Sequence, residues 1–591
     1  MSSDLARVWL WRGAAVCAAA ALSLLGGLLV LGFTGRDGIG WLDAIRSVLV
    51  AITGFWLVWG AVPAVLGALL PARATRDDAD PQGRTVILVP ICNEDAWQTF
   101  ARIAAMNRGL VELGLAERFH FAILSDSQDR GAIAQEAQAL EMLMDEKLAA
   151  GRIFYRRRTQ NVARKAGNIE DFVKRSGGAY DYALILDADS LMAPATMARM
   201  AARMDREPEL GLLQTVPRVI GARSTFGRVM QFASSYLSPA IARGASLFHG
   251  REGPYWGHNA ILRMGAFAAC CGLPSLSGRQ PAGGHVLSHD YVEAALLSRG
   301  GWRVAVDAEM GGSYEEGPDD LLSYAKRDRR WCQGNLQHRR LLGAPRFRLW
   351  SRFTLLQGIM AYFASPLWLA LLAASMLAAA LMLPEGEALS ARDAIPIWAV
   401  AAAVAAILIV PKLLVVLRGA VDGTNRRFGG TLRVTASILV EIIFSTLLAP
   451  IMLLLQSRAV MLILAGVDGG WPSTRRGWRP LGFGSCLVAT WWIVACGLVT
   501  VAAVWTFALG TLLWILPATL PALLAPVLVW SSAMTGRPAG RQPFLLATEA
   551  ELDRPDVLVR QQQILGQWQA CTPAGSGVVQ PAGAAAGAVF A

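Results

Sequence analysis

The clearest pattern in this sequence is a set of long segments that contain no Asp, Glu, Lys or Arg. These segments are residues 13–35, 47–72, 353–384, 394–411 and 480–536. A helix needs about 20 apolar residues to cross a bilayer. The pattern therefore predicts two spans near the N-terminus, at about 14–34 and 48–70, and a second membrane region from residue 353 to residue 536.

A polar region, residues 71–352, separates the two membrane regions and is long enough for a globular domain. Short apolar runs at Thr85–Pro90, Phe119–Leu124 and Tyr182–Leu186 alternate with helical stretches such as Gln135–Ala150. This alternation predicts an α/β domain with parallel strands. Ligands bind beyond the carboxyl ends of such strands, so acidic residues at those ends are the first candidates for a site.

The composition agrees with a membrane protein, since 17% of the residues are charged against about 25% in soluble proteins. The net charge is +11, and we attribute it to membrane topology rather than to nucleic-acid binding. Arginines cluster in the loops 418–433 and 468–479, and the positive-inside rule places both loops in the cytoplasm.

The apolar segment 434–467 carries Glu441 and Arg458. A single crossing there would put the second arginine-rich loop outside, against the charge rule. We therefore expect a hairpin, a re-entrant pair or an interfacial helix, and a total of eight spans, or six plus interfacial pieces, with both termini inside. Two interpretations of Glu441 remain open, a channel-lining residue and a helix end near headgroups.

Two acidic clusters follow predicted strands. Asp187 and Asp189 come where the run Tyr182–Leu186 stops, and carboxylate oxygens of this kind are preferred by Mg²⁺ and Mn²⁺. The alternative is a turn. Asp126 and Asp129 follow the run Phe119–Leu124, where the alternatives are contact with a nucleotide and a turn or helix cap.

Two further motifs lie later in the polar region. Asp290 opens a helix after a Gly-rich loop and could act as a general base, or it could belong to a helix cap in which Glu293 completes a capping box. The segment Arg327–Gly334 combines arginines with a tryptophan, which suits a diphosphate and a sugar. The alternative is a basic amphipathic helix on anionic headgroups.

In their order along the chain these motifs resemble those of processive family 2 glycosyltransferases such as cellulose and hyaluronan synthases. The likeness covers residues 84–340. The details are most similar to the glucan biosynthesis glucosyltransferase H family, which makes osmoregulated periplasmic glucans. That family has Ser-His-Asp and Arg-Trp-Cys-Gln-Gly-Asn, found here at Ser288–Asp290 and Arg330–Asn335. Arg327 stands where the related QxxRW motif has Gln, which leaves the role of position 327 open.

The resemblance implies a GT-A fold inserted into a transmembrane bundle, UDP-glucose as the donor and a divalent cation, Mg²⁺ or Mn²⁺. It also implies an inverting synthesis of a β-linked glucan, with β-1,2 suggested by the family, and its export across the inner membrane. The implied roles are donor binding for Asn93, Glu94, Asp126, Lys165, Asn168, Asp187, Arg330 and Gln333, metal binding for Asp187 and Asp189, catalysis for Asp290, and acceptor binding for His258, His289 and Trp331.

We therefore expect two N-terminal transmembrane helices (1–70), a cytoplasmic GT-A domain (71–352), transmembrane and interfacial helices (353–536) and a partly disordered cytoplasmic tail (537–591). The implied partners are UDP-glucose, the growing glucan, membrane lipid, acyl carrier protein and periplasmic glucan-processing proteins, with no nucleic acid. The alternatives are a family 2 transferase that makes another polysaccharide or a glycolipid, a transporter with a nucleotide-binding domain, and an inactive scaffold.

Overall fold

The computed structural model describes residues 3–34, 39–72, 80–146, 149–382, 391–470, 480–507, 509–535 and 544–571. Arg475, Arg476 and Arg479 of the second predicted loop lie outside these residues, and so does the segment 572–591, the part of the tail predicted to be disordered. The chain opens with two long apolar helices, α1 (Ser3–Thr34) and α2 (Trp41–Leu69).

A domain of alternating strands and helices follows. Its helices are α3 (Ala96–Glu112), α4 (Arg130–Met144), α5 (Arg164–Ser176), α6 (Pro194–Arg206), α7 (Thr225–Tyr236), α8 (Ser238–His249), α9 (Met264–Cys270), α10 (His289–Arg299) and α11 (Leu321–Gln337). Its strands are β1 (Thr85–Ile91), β2 (Phe119–Ser125), β3 (Ile153–Arg157), β4 (Tyr182–Ile185), β5 (Leu191–Met192), β6 (Leu210–Thr215), β7 (Arg218–Ile220), β8 (Ala260–Arg263), β9 (Ser275–Leu276), β10 (Gly284–His285), β11 (Arg303–Asp307) and β12 (Ser313–Glu316).

The helices after this domain are α12 (Leu349–Met382), α13 (Ala391–Val421), α14 (Thr431–Leu464), α15 (Phe483–Phe507), α16 (Leu512–Leu523), α17 (Ala525–Ala533), α18 (Glu549–Leu552) and α19 (Asp556–Cys571). Within the described ranges, six helices are long and apolar enough to cross a membrane: α1, α2, α12, α13, α14 and α15. The pair α16 and α17, bent by 54°, raises the number to seven if it counts as one span. The expected total of eight spans is therefore not reached in this part of the chain.

The central sheet has the strand order β11-β6-β8-β4-β1-β2-β3. The three strands predicted from apolar runs are neighbours in it, since β1 pairs in parallel with both β2 and β4. The sheet is not wholly parallel, because β8 runs antiparallel between β4 and β6. Alternate residues of β1 face opposite sides: Ile87 packs with α3 and α6, and Val86 packs with α5 and α9.

One predicted helix is displaced along the chain. The predicted range 135–150 corresponds to α4, which begins five residues earlier and ends at Met144. The start is set by Asp129, whose side chain accepts a hydrogen bond from the amide of Ala132 at 2.9 Å and so caps the helix. Apolar spacing locates the body of a helix, but here the cap decides where it begins.

The apolar segment 434–467 folds as one continuous helix, α14, rather than as a hairpin or re-entrant pair. Its first turns pack on α7 through Val434 and Ile438, and near its end Gln456 donates a hydrogen bond to Asp328 of α11 at 3.0 Å. In between, Leu448 and Ile451 pack against Phe226 and Leu321 of the domain. Helix α14 therefore lies between the domain and the other helices of the bundle, and it is also one of the six helices that are long and apolar enough to cross a membrane.

Glu441 of this helix is a partner in a buried ion pair. Lys412 of α13 donates to both carboxylate oxygens of Glu441, at 2.8 and 2.6 Å, and Ser445 donates to one of them at 2.8 Å. The Glu441 side chain is 7% exposed. Glu441 therefore joins α13 to α14, and neither of the two interpretations from the sequence anticipated this contact.

The described part of the C-terminal tail docks on the α/β domain. In α19, Val557, Ile564 and Trp568 are buried in the core that includes α3. Arg560 pairs with Glu112 at the end of α3, with 2.6 Å between the charged atoms. The sequence did not predict this helix, which connects the last membrane helices to the back of the sheet.

Replacing Trp568 with Ala should weaken this docking by about 3 kcal/mol, because the side chain is buried and contacts the Trp97 ring with 6.4 Å between the centroids. Limited trypsin digestion of the purified protein should then cut after Arg560 much faster. The exposed neighbour Gln567 provides the control, since Gln567→Ala should leave the digestion rate unchanged. Equal rates for both variants would contradict a docked tail.

Candidate active site

The residues predicted to follow β1, β2 and β4 lie at one edge of the central sheet. The carboxyl ends of the parallel strands β1, β2 and β4 lie there, with β6 two strands beyond β4. Because β8 is antiparallel, its first residue lies at the same edge, and the loop 256–259 that precedes it joins the site. Gln214 at the end of β6 holds this loop, since it accepts from the Trp256 amide at 3.0 Å and donates to the His258 carbonyl at 3.0 Å.

Asp187 and Asp189 follow β4, as predicted. Lys165 at the start of α5 donates to Asp187 at 2.5 Å and to the Gly257 carbonyl at 2.7 Å, so it joins two parts of the site. The Asp187 side chain is 30% exposed, whereas Asp189 is buried. Asp187 also bonds through its backbone to Ser190, which fixes the turn between β4 and β5.

Two residues of α3 that the sequence did not single out hold this acidic turn from behind. Arg102 donates to the carbonyl of Ala188, between the two aspartates, at 2.8 Å, and Thr99 donates to the same carbonyl at 3.2 Å. Arg102 is 6% exposed and also pairs with Glu316 at the end of β12. Nothing near Arg102 in the sequence marks this role, because its partners lie about 90 and 210 residues away.

The change Arg102→Lys should lower kcat/KM for the glucosyl transfer that the sequence resemblance implies by about 10²-fold, because a misplacement of about 1 Å at a reacting centre costs that much. The loss should lie mainly in the KM values of the implied metal and donor, with the thermal unfolding temperature little changed. Arg108→Lys is the matched control, since Arg108 lies on the same helix and pairs with Glu146 at 2.7 Å. A similar loss in both variants would exclude a specific role for Arg102.

Asp126 and Asp129 take different roles. Asp129 caps α4, whereas Asp126 is buried and forms a bidentate pair with Arg158, at 2.8 and 2.7 Å. Asn168 donates to the same carboxylate at 2.9 Å, so these two predicted donor-binding residues do lie together. Arg158 was not predicted; its only sequence signal is the basic run that ends β3.

Asn93 and Glu94 lie in the turn after β1. Asn93 has a φ of 60° and its side chain accepts from the amides of Gln128 and Asp129 at 3.1 and 3.0 Å. The carboxylate of Glu94 accepts from the amide of Cys92. Asn93 therefore ties the β1 turn to the β2 turn, which carries Asp126.

Asp290 lies in the first turn of α10, facing the loop 256–259. Burial raises the pKa of its carboxyl group, although His289 and the Tyr291 amide oppose the rise. Its Oδ1 atom is buried and has no hydrogen-bond partner among the described residues. Gly257 has a φ of 86°, and a Cβ there would lie 3.5 Å from Asp290 Oδ2, so the loop passes directly against the carboxylate.

The capping box considered for this helix does not form. Ser288 makes no side-chain hydrogen bond to the helix, and Glu293 instead contacts His289, with 3.0 Å between Oε2 and Nδ1. Burial lowers the pKa of His289, but the charge and hydrogen bond of Glu293 outweigh it and the net shift is upward. One ring nitrogen of His289, Nδ1, therefore contacts Glu293, and His289 lies next to Asp290 in the chain.

Helix α11 packs against the turn that carries Asp290. A Cβ on Gly334 would lie 2.3 Å from the Ser288 hydroxyl and 2.6 Å from the Ser288 amide, so only glycine permits this approach. On the same helix Trp331 is 41% exposed, and the Arg327 guanidinium lies 4.5 Å from the centre of its ring. Arg330, the preceding residue, is half-buried.

The side-chain amide of Gln333 forms hydrogen bonds with other groups of the protein. Its amide donates to Gln280 at 2.8 Å and to Asp468 at 2.9 Å, and it accepts from the amide of Gly469 at 3.1 Å. The segment that follows α14 is therefore attached to α11. The family resemblance implied that Gln333 binds the donor, and it did not imply this attachment to the segment after α14.

Glu315 on β12 is a further acidic residue that the sequence analysis missed. Its carboxylate lies 3.4 Å from Nε2 of His258. Burial raises the pKa of Glu315, and the nearby carboxylates of Asp189 and Asp187 add to the rise. His258 therefore stands beside a carboxylate of the site, in the loop that faces Asp290.

The two aspartates of the acidic turn are suited to a divalent cation. Mg²⁺ is commonly held by one or two carboxylates together with substrate phosphates. Within the described residues no group of three or more His, Cys, Asp or Glu side chains could hold a metal ion alone. Burial is the main cause of the raised pKa of Glu315, and the charges of Asp189 and Asp187 make a smaller contribution that a cation would offset.

A cavity of about 450 Å³ extends from the site toward the membrane helices. Trp256, Tyr291 and Glu315 line it on the side of the domain, and Trp59 of α2 and Trp350 of α12 line it on the side of the bundle. Aromatic faces suit the apolar patches of sugar rings.

The α/β sheet, the acidic turn and the adjoining aromatic cavity define a glycosyltransferase with a GT-A-like domain. The model of glycosyl transferase family 2 matches residues 86–270, and that of glycosyl transferase family group 2 matches residues 182–413.

The chain belongs to the glucans biosynthesis glucosyltransferase H family. It is 46% identical over 569 residues to that protein of Cereibacter sphaeroides, covering 94% of this chain and 95% of the relative. It is 40% identical to that of Rhodopseudomonas palustris strain TIE-1, covering 93% and 78%. Among solved structures it matches a mannosyltransferase from Pyrobaculum calidifontis in complex with GDP-Man and Mn²⁺, at 16% identity and a TM-score of 0.41, covering 64% and 96%.

Proposed function

We propose that this chain transfers glucose from UDP-glucose to a growing β-linked glucan and moves the product across the inner membrane. The observation that carries the proposal is the position of Asp290. Its carboxylate has one buried oxygen with no partner among the described residues, and it lies against Gly257, which Lys165 joins to Asp187. The next residue, Tyr291, lines the aromatic cavity. Family membership supports glucose as the sugar and osmoregulated periplasmic glucan as the product, with a β-1,2 linkage as the expectation.

The proposed reaction is a single in-line displacement. An acceptor hydroxyl attacks the anomeric carbon, the bond from that carbon to the UDP phosphate breaks, and the α configuration becomes β. Asp290 takes the proton of the attacking hydroxyl as general base. Its unpartnered Oδ1 can accept a hydrogen bond from that hydroxyl, and burial, which raises its pKa, makes it a stronger base than an exposed aspartate.

The donor is proposed to lie across the strand ends. Asp126, held by Arg158 and Asn168, would contact the uridine part, while Lys165 and Arg330 would face the diphosphate. A divalent cation at Asp187 and Asp189, when bound, would offset the charge that develops on the leaving UDP. Arg102 and Thr99 fix the backbone between these aspartates, so the protein presents them without rearrangement.

The acceptor is proposed to lie in the cavity between Trp256 and Trp350, with Trp331 and His258 near its entrance. A hydrophilic polymer formed here would leave along the membrane helices, since α2 and α12 contribute to the walls. This direction requires the catalytic domain on the cytoplasmic side, in agreement with the arginines of the loop between α13 and α14, which contacts the domain through Asn425.

The test uses the full chain in lipid vesicles with labelled UDP-glucose and Mg²⁺, followed by sizing and linkage analysis of the product. A metal-dependent β-1,2-glucan inside the vesicle lumen, formed from donor supplied outside, supports the proposal. A glycolipid of one or a few sugars, or a polymer of another sugar, would overturn the assigned product, and a glucan that stays outside would overturn export.

A further inference from the structure

Glu136 is a buried acidic residue that takes no part in the proposed reaction steps. It lies in the second turn of α4, on the side that faces β2 and β3, and it is 1% exposed. Burying a carboxylate costs free energy unless hydrogen bonds or an opposite charge compensate for the loss of water. The partners of Glu136 therefore indicate what its position stabilises.

Three hydroxyl groups donate to the two oxygens of this carboxylate. Ser125, the last residue of β2, donates to Oε2 at 2.8 Å, and Tyr155 of β3 donates to the same oxygen at 2.8 Å. Ser127 donates to Oε1. Burial raises the pKa of Tyr155 to about 12, and the hydrogen bond to Glu136 adds to the rise, so this hydroxyl keeps its proton and remains a donor.

Two of these donors lie on either side of Asp126. Ser125 precedes it and Ser127 follows it, and both serines are fully buried. The hydroxyl of Ser125 also accepts from the amide of Ser127 at 3.2 Å. Glu136 therefore fixes the β2 turn on both sides of the aspartate.

The same hydrogen bonds extend to the turn after β1. The hydroxyl of Ser127 has a single proton, which it donates to Glu136, and so it can accept from the amide of Asn93, at 2.7 Å. Asn93 has a φ of 60°, a left-handed conformation that such contacts help to maintain in a residue other than glycine. The chain of contacts from Glu136 through Ser127 to Asn93 connects α4 with both turns.

We infer that Glu136 is a positioning residue for the donor: it fixes the two turns that carry Asp126 and Asn93 in the conformation that binds the uridine part. This inference rests on the proposed function, in which Asp126 contacts uridine. Glu136 acts through Ser125 and Ser127, because its own carboxylate is buried beneath them. Turns that are already fixed lower the cost of ordering the site when the donor binds.

The test is a calorimetric titration of UDP into the purified full chain in a neutral detergent. The change Glu136→Gln keeps the size of the side chain, but its amide nitrogen donates where Glu136 accepts, so at least one of the hydroxyls must turn away. The affinity for UDP should fall about tenfold, about the value of one hydrogen bond. In the transfer assay the KM for UDP-glucose should rise by a similar factor, with kcat within about twofold of the parent.

A second variant, Ser127→Ala, breaks the contact with Asn93 and leaves the bonds of Glu136 to Ser125 and Tyr155 in place. It should weaken UDP binding as well, and it carries the test by itself if Glu136→Gln does not fold. The double variant should bind UDP within about twofold of Glu136→Gln, because residues of one hydrogen-bond network do not act additively.

Glu141→Gln is the matched control, since Glu141 lies on the same helix at an exposed position and loses the same charge. It should leave the affinity for UDP unchanged. Parent-like affinity in Glu136→Gln or Ser127→Ala, an equal loss in Glu141→Gln, or fully additive losses in the double variant would overturn the inference and leave the proposed function intact. If the parent chain itself does not bind UDP, the proposed donor is wrong and the inference falls with it.

Discussion

Replacing Asp290 with Asn is expected to lower the rate of glucosyl transfer by about 10³-fold while UDP binding stays within a few-fold of the parent. Asparagine keeps the shape of the side chain beside Gly257, but it cannot take a proton from the attacking hydroxyl. Initial rates with labelled UDP-glucose, together with calorimetric titration of UDP, separate the two effects. Asp145→Asn, at an exposed position after α4, is the control that changes the same charge away from the site.

The pH dependence of the transfer rate provides a second test of the role of Asp290. Because burial raises the pKa of Asp290, the base becomes protonated at a higher pH than a free aspartate, whose pKa is about 3.9. Activity should therefore fall as the pH drops through this raised value, and the acid limb should disappear in the residual activity of Asp290→Asn. An unaltered rate in that variant would exclude Asp290 as the base.

The change Asp189→Asn is expected to lower metal-dependent transfer by about 10²- to 10³-fold, because it removes a charged ligand from the site where charge develops on the leaving UDP. Asp189 is the cleaner target of the pair, since Asp187 also holds Lys165 and its loss would disturb the loop at Gly257. The metal concentration at half-maximal rate should rise more than tenfold.

A binding experiment identifies the origin of that loss. UDP titrated without metal should bind the variant and the parent alike, and only the gain on adding Mg²⁺ or Mn²⁺ should shrink. If the metal dependence of the variant matched that of the parent, Asp189 would not be a metal ligand. If UDP binding failed without metal as well, a disturbed fold would be the explanation, and the thermal unfolding temperature would show it.

Short-range patterns of apolar and polar residues predicted much of the architecture. The apolar runs located β1, β2 and β4 within one residue at each end, because alternation and length are properties of short segments. They located the bodies of α1 and α2 but not their starts, since α1 begins at Ser3 and α2 at Trp41, before the predicted spans 14–34 and 48–70. The order of the motifs identified the family, and the strand ends predicted which edge of the sheet holds Asp126 and Asp187. In these cases the information lies within about ten residues of the position concerned.

The sequence by itself therefore determined the strands β1, β2 and β4, the apolar regions before and after the domain, and the residue types of the site. Tertiary structure decided the partners: Arg158 on Asp126, Arg102 behind Ala188, Glu315 beside His258, and α19 on α3. It also decided the course of α14, whose apolar surface would suit lipid or a place between the domain and the bundle. The physical reason is that hydrophobic burial and ion pairing stabilise contact with any suitable neighbour. The overall path of the chain then decides which neighbours come close enough to make that contact.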